Sequence, residues 1–127
     1  MSLHVLLVED NPSVAKQLQR VLTEHGFDVT TASNGLDAFN KVQQHVYDIC
    51  IIDHLMPLMD GRQLLKNISQ LTVHKPAFTV FMSTQDLRSV EQLPEVQFAD
   101  TLICKPIEDE VFIGVIYSLL EESSKIA

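Results

Sequence analysis

Three short apolar segments of this chain each end at ionisable residues. Residues 5–8 come directly before Glu9 and Asp10, residues 49–52 before Asp53, and residues 102–104 before Lys105. Short continuous apolar segments are typical of strands that are buried on both faces. If the three strands are parallel, three carboxylates and one ammonium meet at one edge of one sheet. We interpret this edge as a functional site, because such crowding is costly to build.

The chemistry open to this edge depends on its charges. Two carboxylates about 4 Å apart repel by roughly 4 kcal/mol at an effective dielectric near 20, so three of them favour binding of a proton or a cation. Carboxylate oxygens with room for water suit Mg²⁺. Lys105 adds a positive charge for an anion, and Ser83 and Thr84 add hydroxyls at the end of a fourth apolar segment. The whole set suits phosphoryl transfer.

Asp53 is the candidate nucleophile of this set. A carboxylate can accept phosphorus as an acyl phosphate, and Asp53 stands alone at the end of its segment. Glu9 and Asp10 form an adjacent pair and are better placed to hold a metal ion.

The elements that must position these residues alternate regularly along the chain. The predicted strands cover residues 4–9, 27–32, 48–53, 77–82 and 101–104. Helices are predicted after Asn11-Pro12, after Asn34-Gly35, after the loop 54–61, over residues 86–93 up to Pro94, and over the last part of the chain. The alternation predicts an α/β fold with a parallel sheet covered on both faces. In a doubly wound, flavodoxin-like sheet of order 2-1-3-4-5, ligands bind where the strand order reverses, which is between strands 1 and 3.

The last helix has the clearest periodicity of the chain. Its apolar stripe consists of Val111, Phe112, Val115, Ile116, Leu119 and Leu120. Residues 121–127 are polar and are interpreted as a tail. We therefore expect a single domain over residues 1–127, of which about 121–127 form that tail.

The amino-acid composition argues against two classes of binding partner, nucleic acids and membranes. The net charge of −8 argues against direct binding of nucleic acid, which needs a basic surface. No apolar stretch approaches the roughly 20 residues that cross a bilayer. The first residues lack the pattern of a signal peptide, so the expected location is the cytoplasm, without membrane contact. Cys50 and Cys104 lie within apolar segments, and both are interpreted as buried core residues.

The ordered motifs resemble the receiver domain of bacterial two-component response regulators, the CheY-like family. The matching residues are Val8-Glu9-Asp10-Asn11, Asp53 with Met56-Pro57 and Met59-Asp60-Gly61, Ser83-Thr84, and Lys105-Pro106. The resemblance spans essentially the whole chain. One position departs from it, because Leu102 stands where the family usually has an aromatic residue, three positions before the lysine.

The resemblance implies a role for each matching residue. Asp53 would be the phosphoacceptor, and Mg²⁺ would be held by Glu9, Asp10, Asp53 and the carbonyl of Leu55. Ser83 would bind the phosphoryl group, assisted by the Thr84 amide, and Lys105 would pair with a phosphoryl oxygen. Pro106 would hold the loop through a cis bond.

The resemblance also implies the partners and the kind of protein. The phosphodonor would be a sensor histidine kinase or a histidine-phosphotransfer protein, and the partner surface would act on a downstream effector or output domain. A homodimer is compatible with this assignment. The chain would be a signalling phosphoacceptor and not an enzyme, assisting only its own phosphorylation and dephosphorylation.

Other interpretations of the same residues stay open. Glu9 and Asp10 could serve the positive end of the following helix, and Ser83, Thr84 or Asp86 could cap the next one. The chain could be a pseudo-receiver that binds partners without phosphorylation. An aspartyl-phosphate phosphatase of the haloacid dehalogenase type needs a second Asp where Leu55 stands. A flavodoxin-like cofactor binder needs a phosphate loop where Glu9 and Asp10 would repel phosphate.

Overall fold

Five parallel strands form one sheet in the order β2-β1-β3-β4-β5. The computed structural model describes residues 2–126, with the side chains of residues 87 and 123–126 left undescribed. The elements are β1 (His4–Val8), α1 (Pro12–Glu24), β2 (Asp28–Ala32), α2 (Gly35–Gln44), β3 (Ile49–Asp53), α3 (Gly61–Ser69), β4 (Phe78–Ser83), α4 (Leu87–Glu91), a 3₁₀ helix (Pro94–Phe98), β5 (Thr101–Cys104) and α5 (Asp109–Ile126). This order and topology confirm the predicted fold.

The sheet is buried on both faces, and each face has its own apolar layer. Adjacent residues of β1 show this, because Leu6 and Leu7 are both fully buried but belong to different layers. One layer joins the sheet to α1 and α5, with Leu22 and Phe112 among its fully buried residues. The other joins the sheet to α2 and α3, with Leu64 among its buried residues. The inner strands are therefore continuous apolar segments in the sequence rather than alternating ones.

Helix starts are fixed by side chains that accept hydrogen bonds from the first backbone amides. Asn11 caps α1 with Pro12 behind it, Asn34 caps α2, Asp60 caps α3 and Asp86 caps α4. Such caps satisfy amides that have no partner within the helix. Helices α1 and α2 thus begin within a few residues of a strand end, which keeps the loops at the carboxyl edge of the sheet short.

Two sequence expectations about burial are wrong. Cys104 is exposed, whereas Cys50 is fully buried as predicted. The reason is position: Cys50 lies in the central strand β3, and Cys104 is the last residue of the edge strand β5. In α5, Val111 is 55% exposed and Ile113 is buried in its place, so the apolar stripe is shifted by part of a turn.

Several boundaries also differ from the sequence expectations. Helix α5 continues to Ile126, so the predicted polar tail is helical apart from Ala127, which lies outside the described residues. Helix α4 ends at Glu91, before Pro94 as expected, but Pro94 then begins a 3₁₀ helix that the sequence pattern did not predict. Strand β4 includes Ser83. None of the helices in the described part of the chain is long and apolar enough to cross a membrane.

Gly61 brings the start of α3 against the end of β3. Its amide donates to the carbonyl of His54 at 2.7 Å, and a Cβ at this position would overlap the carbonyl oxygen of Asp53. The backbone that carries Asp53 is thereby held by a neighbour that has no side chain. Gly114 in α5 differs, because a Cβ there meets open space.

The two glycines give a matched test of this contact. Gly61→Ala is expected to lower the free energy of unfolding by about 1–3 kcal/mol, because the added methyl group displaces backbone. Gly114→Ala is expected to raise it by up to about 1 kcal/mol, since alanine favours an exposed helix interior. Urea unfolding followed by circular dichroism measures both, as the chain has no Trp. Equal effects of the two substitutions would contradict the close approach at Gly61.

Candidate functional site

The acidic residues come from two neighbouring strands at the point where the strand order reverses. Glu9 and Asp10 come directly after β1, and Asp53 ends β3, which pairs with β1 in parallel register. The carboxyl ends of both strands lie at the same edge of the sheet, where ligands of doubly wound folds bind. Residues that are far apart in the sequence thus become neighbours.

The three carboxylates form one cluster. Each of Glu9, Asp10 and Asp53 offers an oxygen, and these oxygens all lie within 4.8 Å of one another. Glu9 is 3% exposed and Asp53 is 5% exposed, whereas Asp10 is open to solvent. Hard oxygen donors with one solvent-facing side are the donor set that Mg²⁺ prefers. These residues therefore fit a bound divalent cation.

Lys105 partly neutralises the buried side of the cluster. Its Nζ donates to Glu9 Oε1 at 2.6 Å and to Asp53 Oδ1 at 3.1 Å, and its side chain is only 12% exposed. The backbone around it is fixed as well, because its amide donates to the Ser83 carbonyl at 2.8 Å. The Lys105–Pro106 peptide bond is cis, as the resemblance implied.

One ammonium does not compensate two buried carboxylates. Burial raises the pKa of Asp53 to about 7, and the hydrogen bond and charge of Glu9 contribute to this rise against the opposing effect of Lys105. Burial acts to lower the pKa of Lys105, but the hydrogen bonds and charges of Glu9 and Asp53 outweigh it and the net pKa is raised. The site therefore holds a lysine that stays charged and an aspartate that readily takes a proton or a cation.

A cleft of about 230 Å³ opens above these charges. Its walls are Glu9, Asp10, Asn11, Asp53, His54, Leu55, Thr84 and Lys105. Most of the predicted site residues, including Leu55 and Thr84, therefore meet in one cavity. Ser83 is the exception: it is 2% exposed and lies outside this lining.

The Ser83 hydroxyl contacts a residue that the motif pattern did not assign to the site. His54 Nδ1 lies 2.9 Å from Ser83 Oγ, and the Gln85 amide donates to the same oxygen at 3.1 Å. The His54 ring packs against Phe81, with ring centroids 5.2 Å apart, and the residue is 4% exposed. Burial lowers the pKa of His54, which favours the neutral ring. The signal that could have revealed this contact is the strand register. Asp53 pairs with Met82, so the residues that come next, His54 and Ser83, also lie side by side.

The structure shows which of the candidate residues serve the starts of α1 and α4. Asp86 caps α4 through Oδ1, so neither Ser83 nor Thr84 is that cap. Glu9 does approach the start of α1, since the Asn11 amide donates to its Oε2 at 3.3 Å. That contact engages one oxygen of Glu9, and Lys105 engages the other. Glu9 therefore serves the helix start and the charged cluster at the same time.

Asp53→Asn is expected to stabilise the metal-free protein more at pH 8 than at pH 5. The folded-state pKa of Asp53, about 7, lies above its ordinary value of 3.8. The stability that Asp53 contributes falls as the pH rises from the unfolded value toward 7, because folding then requires the carboxyl to take up a proton that the unfolded chain has lost, and above pH 7 the ionised buried group carries the full penalty. The amide cannot ionise, so the difference in its favour should grow by on the order of 2 kcal/mol between pH 5 and pH 8.

Urea unfolding in EDTA at pH 5, 6, 7 and 8 measures this difference. Glu24→Gln, at an exposed position on α1, is the control for loss of a carboxylate elsewhere. A difference between wild type and Asp53→Asn that is constant over this range would contradict the raised pKa.

Comparison with known proteins agrees with this geometry. The sequence profile described as "Response regulator receiver domain" matches residues 5–117. The chain is 31% identical over 121 residues to the transcriptional regulatory protein CpxR homolog of Haemophilus influenzae, a match that covers 94% of this chain and 51% of that protein. The chain spans about half the length of the first curated relatives it matches, between 48% and 59%.

Solved structures show the same architecture. The chemotaxis response regulator CheY4 of Vibrio cholerae superposes with a TM-score of 0.87 at 24% identity, covering 94% of this chain and 99% of that one. The signal receiver domain of a signal transduction histidine kinase from Syntrophus aciditrophicus gives 0.83 at 28% identity, covering 95% and 92%. The profile match over most of the chain, together with the acidic cluster and its lysine, shows that this chain belongs to the response regulator receiver domain family.

Proposed function

We propose that this chain is the phosphoacceptor of a two-component phosphorelay and that Asp53 receives the phosphoryl group. The observation that supports the proposal most directly is the buried pair of Glu9 and Asp53, both bonded to Lys105, at the floor of an open cleft. Receiver domains are signalling modules that interact with sensor kinases and effectors, not classical enzymes.

The transfer forms one bond and breaks one. A carboxylate oxygen of Asp53 attacks phosphorus of a phosphohistidine on a sensor histidine kinase or a histidine-phosphotransfer protein. The phosphorus–nitrogen bond breaks, and the leaving imidazole takes a proton and becomes neutral. Asp53 must be ionised to attack, and its raised pKa makes that ionisation the step that needs help.

The residues around Asp53 supply that help. Receiver domains generally bind Mg²⁺ through an acidic pocket, and here Glu9, Asp10, Asp53 and the Leu55 carbonyl would hold it. The ion supplies positive charge when bound, which favours the ionised aspartate. Lys105 already contacts Asp53 Oδ1, so it can pair with a phosphoryl oxygen on that side. Thr84 lines the cleft, where its amide would bind another phosphoryl oxygen.

The alternatives fit the assembled site less well. A phosphatase of the haloacid dehalogenase type needs a second acid two positions after the nucleophile, and Leu55 there is 53% exposed in the cleft wall without a carboxylate. A pseudo-receiver has no need to keep a cluster of acids bonded to a lysine. We therefore propose phosphorylation-dependent switching. The cytoplasmic location, the effector or output domain and a homodimer stay predictions.

Incubation with acetyl phosphate and Mg²⁺ is expected to add one phosphoryl group to the protein. The adduct should be absent with EDTA, and absent in Asp53→Asn because the acceptor carboxylate is then missing. Intact mass measurement detects the adduct, and Asp37→Asn on the exposed side of α2 is the matched control. An adduct that persists in Asp53→Asn would move the acceptor to another residue, and release of many phosphates per protein would favour the phosphatase.

Lys105→Ala is expected to weaken phosphoryl binding more than metal binding. Its ammonium bonds to Asp53 directly, and a hydrogen bond between charged groups contributes about 1.5–3 kcal/mol, or roughly a tenfold to hundredfold change. The adduct yield and rate should fall by about that factor, whereas Mg²⁺ affinity, measured by calorimetry, should change less. Lys66→Ala on the exposed side of α3 is the control. Equal losses of both would contradict the role assigned to Lys105.

A further inference from the structure

A second buried polar pair lies directly beside the charged cluster. His54 and Ser83 are 4% and 2% exposed, and His54 Nδ1 is 2.9 Å from Ser83 Oγ. The Lys105 ammonium bonds to Glu9 and Asp53 instead, so the histidine and the serine form a pair of their own. The geometry of this pair decides what the serine hydroxyl can do.

The protons available on Ser83 and His54 determine which of the two side chains donates this hydrogen bond. The Gln85 amide donates to Ser83 Oγ at 3.1 Å, so the oxygen already accepts one bond. If the hydroxyl proton points at His54 Nδ1, both atoms are satisfied by one bond, with the ring proton on Nε2. If instead Nδ1 donated, the buried hydroxyl proton would need another acceptor. We assign the Nε2–H tautomer from this hydrogen-bond network.

The bond also fixes where the hydroxyl lies relative to Asp53. In β4, Met82 belongs to the apolar layer under α1 and α5, and Phe81 belongs to the opposite layer under α2 and α3. Ser83 lies on the same side as Phe81 by strand alternation and meets His54 there. The cleft above Asp53 is lined by Thr84 instead. The Ser83 hydroxyl thus bonds to His54 and does not line the cleft above Asp53.

We propose that His54 is a positioning residue that competes with the phosphoryl group for the Ser83 hydroxyl. The inference rests on the proposed function, in which Ser83 binds the phosphoryl group on Asp53. A serine has a single hydroxyl proton, so it can donate to His54 or to a phosphoryl oxygen, but not to both at once. His54 thereby stabilises the unphosphorylated arrangement and sets the threshold that phosphorylation must overcome.

The ring is held where such competition requires it. Phe81 packs against it at 5.2 Å, and the backbone of His54 is bonded at both sides, its amide to the Met82 carbonyl and its carbonyl to the Gly61 amide. The acceptor therefore stays in place when the serine leaves.

His54→Phe and His54→Asn are matched tests of the acceptor. Phe keeps an aromatic ring against Phe81 but has no acceptor, whereas the side-chain oxygen of Asn falls near the position of Nδ1. Beryllium fluoride with Mg²⁺, which occupies the place of a phosphoryl group on a carboxylate, is the probe, and calorimetry measures its affinity. His54→Phe should tighten binding by about fivefold, the factor expected for one net hydrogen bond. His54→Asn should stay near wild type.

A double-mutant cycle with Ser83→Ala separates competition from general packing. Without the hydroxyl, His54→Phe has nothing to release, so Ser83→Ala with and without His54→Phe should bind beryllium fluoride equally. Tightening of the same size in both backgrounds would overturn the proposal. Weaker binding by His54→Phe in the Ser83 background would also overturn it, because His54 would then orient the serine toward the phosphoryl group.

Nitrogen chemical shifts of the His54 ring test the wild-type protein directly. Long-range ¹H–¹⁵N spectra should show a proton on Nε2 and none on Nδ1 in the free protein, and the Nδ1 signal should shift when beryllium fluoride and Mg²⁺ bind. A proton on Nδ1 in the free protein overturns the assignment. If beryllium fluoride does not bind wild type, or binds Asp53→Asn equally, the proposed function fails and the inference with it. If it binds through Asp53 but the His54 signals do not move, the inference alone fails.

Discussion

The shortage of positive charge around Glu9 and Asp53 is the constraint on which the rest of the site depends. Both carboxylates are buried, and they share the ammonium of Lys105. Burial removes the water that would otherwise solvate the charges, so the surplus negative charge must be relieved by a proton or a cation. Because Asp10 adds a third carboxylate at the solvent side, the relief comes through the cleft and not through the core. The site is thus prepared to bind cations.

Keeping such a site in place requires rigid supports, and the strand ends provide them. Glu9 donates its amide to the Ala32 carbonyl at 3.0 Å, which extends the pairing of β1 with β2 to the first site residue. On the other side, Gly61 holds the loop after Asp53. Lys105 is tied to β4 through its amide. Charges that repel one another are therefore attached to backbone that cannot yield without breaking the sheet.

Sequence reasoning predicted the sheet and the charged cluster because both arise from local patterns. Apolar segments of strand length define buried strands, and the charge after each segment marks a strand end. Burial at particular positions was harder to predict. Cys104 and Cys50 lie in similar apolar segments, and their exposure differs because β5 is an edge strand, which depends on strand order and not on local sequence.

The contact between His54 and Ser83 was missed for a related reason. It depends on the register of β3 against β4 and on which face each strand end presents, and both are properties of the pair of strands. The 3₁₀ helix was missed because Pro94 interrupts a helix without specifying the conformation of the residues after it. The motif residues were predictable because their chemistry is visible in their types, whereas an ordinary histidine in a loop carries no such mark.

The segment after β4 is less deeply buried than the central strands of the sheet. Helix α4 has five residues, and the 3₁₀ helix after it has none that are buried. Val90 is buried in the layer under α2 and α3, Leu102 packs partly against that layer, and Arg62 of α3 bonds to Glu95 at 3.0 Å. Val96 and Ala99 also pack partly against that layer. Because most of these contacts are only partly buried, a rearrangement here costs less free energy than moving the central strands, whose apolar residues are fully buried. Leu102 has no aromatic ring that must rotate to accommodate the change. Under the proposed function, we therefore expect displacement of α4 and the 3₁₀ helix to carry the signal once the Ser83 hydroxyl changes partner.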